Sequence, residues 1–327
     1  MINLIIPIFI PHEGCPNDCA FCNQRTISGK SGAPSKEETV KTIESHLETM
    51  GGSADEIAFF GGSFTGISEK KQNEYLSIAK KYIESKNVKS IRLSTRPDYI
   101  SKDTVKRLFE YGVRNIELGA QSMDEEVLRL TKRGHSVSDV EKASEIIAES
   151  GITLGLQMMT GLPGDTMEKC LYTAKRFKEL GAKETRIYPT VILKGTYLAT
   201  MYASGEYAAH TVEEAVDICA KLYRFFIDND IKILRMGLPD STELKENYIA
   251  GAYHPSLGEM IMSRDIRNRI EEARYGGKNI IIRAKKQCIS KIVGNKKCNV
   301  NYFKEKGITI TVIEDDGVEN IEIMVES

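Results

Sequence analysis

The sequence predicts an α/β protein: a parallel sheet curled into a partial (β/α)6 barrel, followed by a small C-terminal α+β appendage. Two observations carry this. Short β-branched or apolar runs alternate with longer amphipathic stretches up to about residue 236, and such alternation implies parallel strands joined by crossover helices. About six strand-helix units are visible, which fits a partial barrel better than a closed eight-fold one. After residue 237 the rhythm changes, and a short strand, two short helices and two further strands close the chain.

The strand candidates, in order, are residues 4–10, 56–60, 90–94, 115–119, 152–158, 185–190 and 231–235. Each is short and rich in Ile, Leu, Val or aromatic residues, as buried parallel strands are. Between them, residues 36–50, 69–86, 102–111, 138–150, 167–180 and 212–229 carry apolar residues at helical spacing. Residues 1–236 are therefore assigned to the barrel. Residues 237–275 begin with a Gly- and Pro-rich stretch and read as a boundary or closing segment. Residues 276–327 form the appendage.

Composition narrows the class. With 41% hydrophobic residues and no low-complexity stretch, the chain is not a disordered protein. Its formal net charge of -1 says nothing globally about polyanions. The apolar start is too short to span a bilayer and contains Pro7, so it reads as a buried strand. A cytoplasmic protein with no membrane partner is expected. Seven cysteines are an odd number, and three lie within eight residues, which favours a metal site in a reducing compartment over a disulfide framework.

Those three, Cys15, Cys19 and Cys22, directly follow the first strand. Three thiolates can take three irons of a 4Fe-4S cubane, leaving the fourth iron free to chelate a small molecule. A structural zinc site, which normally has four ligands, and a chance cluster of core cysteines are the alternatives. Cys170, Cys219, Cys288 and Cys298 are spaced too widely for a second cluster of this kind and read as buried free thiols. His12 and His46 read as structural, and His254, beside Tyr253, as facing either the substrate or the barrel.

The spacing of Cys15, Cys19 and Cys22, with Phe21 before the last cysteine, resembles the radical S-adenosylmethionine (SAM) superfamily. The resemblance implies an enzyme that reductively cleaves SAM at a 4Fe-4S cluster, fed by a low-potential donor such as a flavodoxin or ferredoxin. It places Phe21 against adenine. Gly61 and Gly62, with Ser63 where the family has an acid, resemble the turn that holds the methionine amino group; on its own, such a pair after a strand is an ordinary turn. Gln121 corresponds to a ribose contact and Arg133 to a carboxylate contact, the alternative for Arg133 being a solvated helix end. Gln157 and Ser94 lie where relatives carry other SAM-contacting side chains. No residue acting on the substrate is assigned.

Within the superfamily, Ser94-Thr95-Arg96-Pro97-Asp98-Tyr99, Glu117 to Ser122, Met158 to Gly164, Ile187-Tyr188-Pro189-Thr190 and Tyr253-His254-Pro255 resemble the catalytic subunit of Elongator, which modifies tRNA wobble uridines. That family carries an acetyltransferase domain, and too few residues follow Arg264 to hold one. The appendage adds a local charge signal. Between Lys278 and Lys306 nine cations face only Glu305, and an acidic run follows Gly307. A basic face is the footprint of a polyanion, or an ordinary solvated surface. Gly294 to Lys297, between the two predicted helices, resembles the backbone-gripping loop of a KH domain with Lys297 at the second glycine position. An enzyme acting on tRNA or ribosomal RNA is therefore expected. The alternatives are radical chemistry on a small metabolite or porphyrin-like substrate, and a non-catalytic, cluster-bearing RNA-binding or regulatory protein.

Overall fold

In the computed structural model, which describes residues 4–11, 15, 19–22 and 32–326, all seven barrel strands form. In chain order the elements are β1 (Ile5–Ile10), α1 (Lys36–Thr49), β2 (Ala54–Gly61), α2 (Glu69–Glu84), β3 (Val88–Thr95), α3 (Lys102–Glu110) and β4 (Val113–Gln121). There follow α4 (Glu125–Leu130), α5 (Val137–Glu149), β5 (Thr153–Thr160), α6 (Met167–Glu179), β6 (Glu184–Pro189), β7 (Val191–Leu193), α7 (Tyr197–Ala203), α8 (Val212–Asp228) and β8 (Lys232–Met236). The chain continues with α9 (Thr242–Asn247), β9 (Tyr248–Gly251), α10 (Leu257–Ala273), β10 (Asn279–Ala284), α11 (Lys286–Val293), α12 (Cys298–Glu305), β11 (Thr309–Glu314) and β12 (Ile321–Glu326).

The barrel sheet has the order β1-β2-β3-β4-β5-β6-β8, with every pairing parallel. It is a partial barrel, as the alternation predicts. Helix starts are written locally. Ser35 with Glu38, Ser136 with Asp139 and Thr211 with Glu214 close reciprocal capping boxes on α1, α5 and α8, satisfying backbone N–H groups that the first turn leaves without partners. One face of the sheet meets these helices through Ile6, Ile57, Leu93, Ile116 and Leu156, packed with Ile43, Leu76 and Phe226. Leu76 is fully buried; truncating such a residue to Ala costs about 2–5 kcal/mol.

The opposite face is charged. Arg92, 1% exposed, donates to Glu56 at 2.7 and 3.2 Å, to Glu117 at 3.1 Å and to Glu184 at 2.6 Å. Arg186 answers Glu117 from β6 at 2.5 and 3.1 Å, and its guanidinium lies 5.1 Å from the centre of the Phe60 ring. Four strands are thereby tied together by ion pairs on the face turned away from the helices.

Several elements were not foreseen. The segment after Gly237 contains α10, a 17-residue helix whose buried Ile261 joins the barrel core while Ile266 and Ile270 join the core of the appendage. The short helices α4, α7 and α9 and the two-stranded β7-β9 sheet are the others. The appendage follows the expected order of strand, two helices and two strands. Its sheet is β11-β10-β12, parallel on one side and antiparallel on the other. Ile280, Ile282, Ile292 and Phe303 fill its core. Among the described residues no helix is long and apolar enough to cross a membrane.

Candidate active site

Parallel strands bring their carboxyl ends to one side, and in barrels the chemistry gathers there. The cysteine segment follows β1 and is held by backbone bonds to two other elements. Ala20 donates to Thr131 O at 2.8 Å, and Leu198, in the first turn of α7, donates to Ala20 O at 2.8 Å. Cys22 N closes a turn onto Cys19 O at 3.0 Å. Cys19 is buried, and Cys15 and Cys22 are half-buried.

The turn after β2 runs beside this segment. Gly62 N donates to Ile10 O at 2.9 Å, and at Gly61, with φ of 118°, any Cβ would collide with the Ile10 carbonyl. Only glycine fits so close a backbone approach. Burial pushes the Cys15 thiol up, while Arg133, the Ser63 backbone N–H and Arg96 pull it toward the thiolate. The Ser63 hydroxyl faces the other way: it shares a hydrogen bond with Thr95 Oγ1 at 2.8 Å and accepts from Arg96 N at 3.2 Å. Its backbone, rather than its side chain, is turned to the cysteines.

Arg133 is 8% exposed and not a solvated helix end. Its Nη1 donates to Cys19 Sγ at 3.3 Å and its Nη2 to Gly119 O at 2.7 Å, while Nε is buried with no partner among the described residues. A Cβ at Gly119 would lie 2.9 Å from both Arg133 Nη2 and Gln121 Nε2, so any larger residue here would displace the ends of those two side chains. Gln157 Nε2 donates to Gln121 Oε1 at 3.1 Å, bringing those two predicted residues together. Phe21 is half-buried beside Cys22. Ser94 shares a small crevice with Phe60, Gly62 and Ser63.

Two residues of the site were missed. Arg96, locked by Asp98 at 2.9 and 2.8 Å, donates Nη1 to Arg133 O at 2.9 Å and so fixes the backbone that carries Arg133. Its signal was present in the stretch Arg96-Pro97-Asp98, where a cation and an acid flank a turn. His135, assigned with Nε2 against Ala120 O at 3.2 Å, is buried. Burial first, then Arg133 and Arg96, hold it neutral by depressing its pKa to about 3.

The remaining candidates lie elsewhere. Cys170 donates to Asp165 at 3.0 Å and Cys219 lies near Thr160 at 3.8 Å, both buried, while Cys288 and Cys298 belong to the appendage. His46 bonds to Thr42 O on its own helix. His254 Nδ1 accepts from Ser256 N at 3.0 Å at the start of α10. His12 lies outside the described residues. Among the described residues no three His, Cys, Asp or Glu side chains are close enough to hold one metal ion. Ligands to separate irons of a cubane need no such convergence. A buried cation on one thiol, a cation pulling on a second, and an orphaned guanidinium nitrogen beside them suit an anionic cluster and a carboxylate ligand.

The family model described as the radical SAM superfamily matches residues 9–177, more than half of the chain. The chain belongs to this superfamily. A second model, the radical SAM C-terminal domain, matches residues 182–267. The protein is accordingly a radical SAM enzyme, whose cofactors are a 4Fe-4S cluster and SAM. Among curated proteins it is 30% identical over 197 residues to a tRNA uridine(34) acetyltransferase of Methanocaldococcus infernus, covering 53% of this chain and 36% of that one. It is 35% identical over 208 residues to an uncharacterized protein of Methanocaldococcus jannaschii, covering 59% and 63%. The chain thus spans about a third to two thirds of the length of these relatives. Among solved structures, the archaeal Methanocaldococcus infernus Elp3 with an N-terminal deletion shares the fold with a TM-score of 0.63 at 22% identity, over 83% of this chain and 64% of that one.

Proposed function

We propose that Cys15, Cys19 and Cys22 each ligate one iron of the cluster, that SAM is seated by the residues around Arg133, and that the substrate is RNA, with a tRNA uridine the first candidate. The contact of Arg133 Nη1 with Cys19 Sγ carries this reading, because it puts a buried cation at the thiol whose burial most needs one. When bound, the cluster supplies the electron that cleaves SAM and generates a carbon radical.

The chain's own residues do the rest. Arg133, through its unpaired Nε, takes the SAM carboxylate. The Gly61-Gly62-Ser63 backbone holds the amino group, and Gln121, braced by Gln157, reaches the ribose. Phe21 covers the adenine. Arg96 and Asp98 hold Arg133 in place. A flavodoxin or ferredoxin is the electron source, in a reducing cytoplasm that suits seven free thiols.

The RNA substrate is supported by the tRNA-acting relative and by exposed Lys296 and Lys297 in the loop between α11 and α12. The basic face is smaller than its sequence suggests. Arg283 pairs with Asp315 and Glu322, and Lys306 with Glu271 at 2.8 Å.

Anaerobic reconstitution tests the proposal. The protein should take up about four irons and four sulfides and form 5′-deoxyadenosine with SAM and a strong reductant. Cys15→Ala, Cys19→Ala and Cys22→Ala should each abolish both, while Cys219→Ala spares them. A full catalytic cluster without Cys19 would refute the ligand assignment. Identical modified nucleosides in total RNA with and without the gene would refute the RNA substrate.

A further inference from the structure

Where the barrel meets the appendage, α8, α10, α11 and the start of β12 frame a cleft of about 720 Å³, within the range of small-ligand sites. Its walls are chemically divided. Ile227, 42% exposed on α8, Met262 and Ile266 on α10 and Ile321 on β12 make an apolar side. Arg269 on α10 and Lys291 on α11 line the same space, and neither has a carboxylate partner among the described residues.

The other charges lining the cleft are Arg224, Asp265 and Glu319. Arg224 is gripped by Asp265 through two bonds of 3.0 Å each, and Asp265 is buried. Arg224 is also held by Asp228 at 3.1 Å, so its charge is fully taken up. Glu319 is exposed. Two cations with no salt-bridge partner among the described residues therefore share this space with Glu319, an apolar wall and the ring of Tyr223. Glu319 lines the cleft with them but forms no salt bridge to either, so an anion entering the cleft meets two cations that no carboxylate has claimed among the described residues.

We propose that this cleft binds a nucleoside monophosphate unit, with the phosphate on Arg269 and Lys291 and the base against Tyr223, Met262 and Ile227. The same chemistry is offered by a free nucleotide and by one unpaired nucleotide of an RNA strand. The cleft lies on the outside of the barrel, among α8, α10 and the appendage, and its ligand is separate from SAM. The proposal does not depend on the RNA reading of the active site, since a free nucleotide satisfies it.

Cys288 lines the cleft and is half-buried, so it reports occupancy. The experiment is iodoacetamide labelling of the reduced full-length chain, with the rate at each cysteine read by peptide mass spectrometry. The ligands are UMP, AMP, inorganic phosphate and a single-stranded oligouridylate. UMP or AMP should slow labelling of Cys288 by about five-fold or more and leave Cys298 unchanged. If only the oligouridylate protects, the RNA strand is the source of the unit. Arg269→Gln and Lys291→Met should each abolish the protection, while 5′-deoxyadenosine formation without RNA stays at the wild-type rate. No protection by any nucleotide, equal protection by inorganic phosphate, or protection that survives both changes would overturn the assignment. The wild-type comparison stands even if one variant fails to fold.

Discussion

The guanidinium of Arg133 joins the thiol of Cys19 to the carbonyl of Gly119, donating to Cys19 Sγ at 3.3 Å and to Gly119 O at 2.7 Å. One side chain thereby links the cysteine segment to the end of β4. A charge-assisted hydrogen bond to a ligating sulfur favours the more negative, reduced cluster. Arg133→Gln should therefore lower the cluster's reduction potential by on the order of 60 mV, the one-electron equivalent of a tenfold change in equilibrium. It should also weaken SAM binding about tenfold or more, while the iron content stays near four. A redox titration followed by electron paramagnetic resonance, with SAM binding measured alongside, checks this. An unchanged potential would remove the contact from the site.

His135 gives a pH signature. Its folded pKa lies near 3, below the unfolded value of about 6.5, so the native protein keeps it neutral while the unfolded chain takes up a proton as pH falls. The stability it contributes is full above about pH 6.5 and declines toward pH 3, by at most about 1.4 kcal/mol per pH unit. His135→Gln puts an amide N–H near the position of Nε2, so it can still donate to Ala120 O, and it carries no titrating proton. Urea midpoints of cluster-free protein at pH 7 and pH 5 should fall less on acidification in His135→Gln than in wild type. Parallel declines would show that another group is responsible.

The buried network predicts a different failure. Arg92→Met leaves Glu56, Glu117 and Glu184 facing one another with Arg186 as the one remaining buried cation of the cluster. Removing one partner from a buried ion pair costs about 3–5 kcal/mol. Because the deficit comes from uncompensated carboxylates, adding Glu184→Gln to Arg92→Met should recover part of it. Urea denaturation of the two variants beside wild type measures the recovery. No recovery in the double variant would indicate lost packing instead.

The barrel strands were legible because each is a short apolar run between amphipathic helices. The ion network was half visible: Glu56, Arg92, Glu117, Glu184 and Arg186 interrupt strands that parallel burial would make apolar throughout, but their pairing depends on register across four strands. The cysteines were readable by spacing, and Arg133 by its place in Lys132-Arg133-Gly134-His135. Its contact with Cys19 bridges 114 positions and left no local mark. Helix α10 was obscured because its apolar residues serve two cores, so its face is split and its amphipathic pattern weak. The free cations of the basic segment could not be told from paired ones, since Arg283 and Lys306 find their acids on other elements.

Lys296 and Lys297 present charge at a conformational cost. Both have left-handed backbone angles, with φ of 50° and 62°, in an exposed loop, where a non-glycine residue costs on the order of 1 kcal/mol or more. Conformation and charge can be separated by substitution. Lys297→Gly should raise stability by about 0.5–1 kcal/mol, whereas Lys296→Gln with Lys297→Gln should leave it nearly unchanged. If both lysines meet phosphates, the double change removes two counterion-releasing contacts, and the slope of log K against log salt for single-stranded RNA should flatten by about 1.4. Formation of 5′-deoxyadenosine without RNA should not change, because both lysines belong to the appendage whereas Cys15, Cys19 and Cys22 follow β1 of the barrel. Filter-binding titrations from low to moderate salt give the slope directly. An identical slope in wild type and the double variant would mean that RNA, if bound, is held by some other surface, and the loop's two strained lysines would have no part in its recognition.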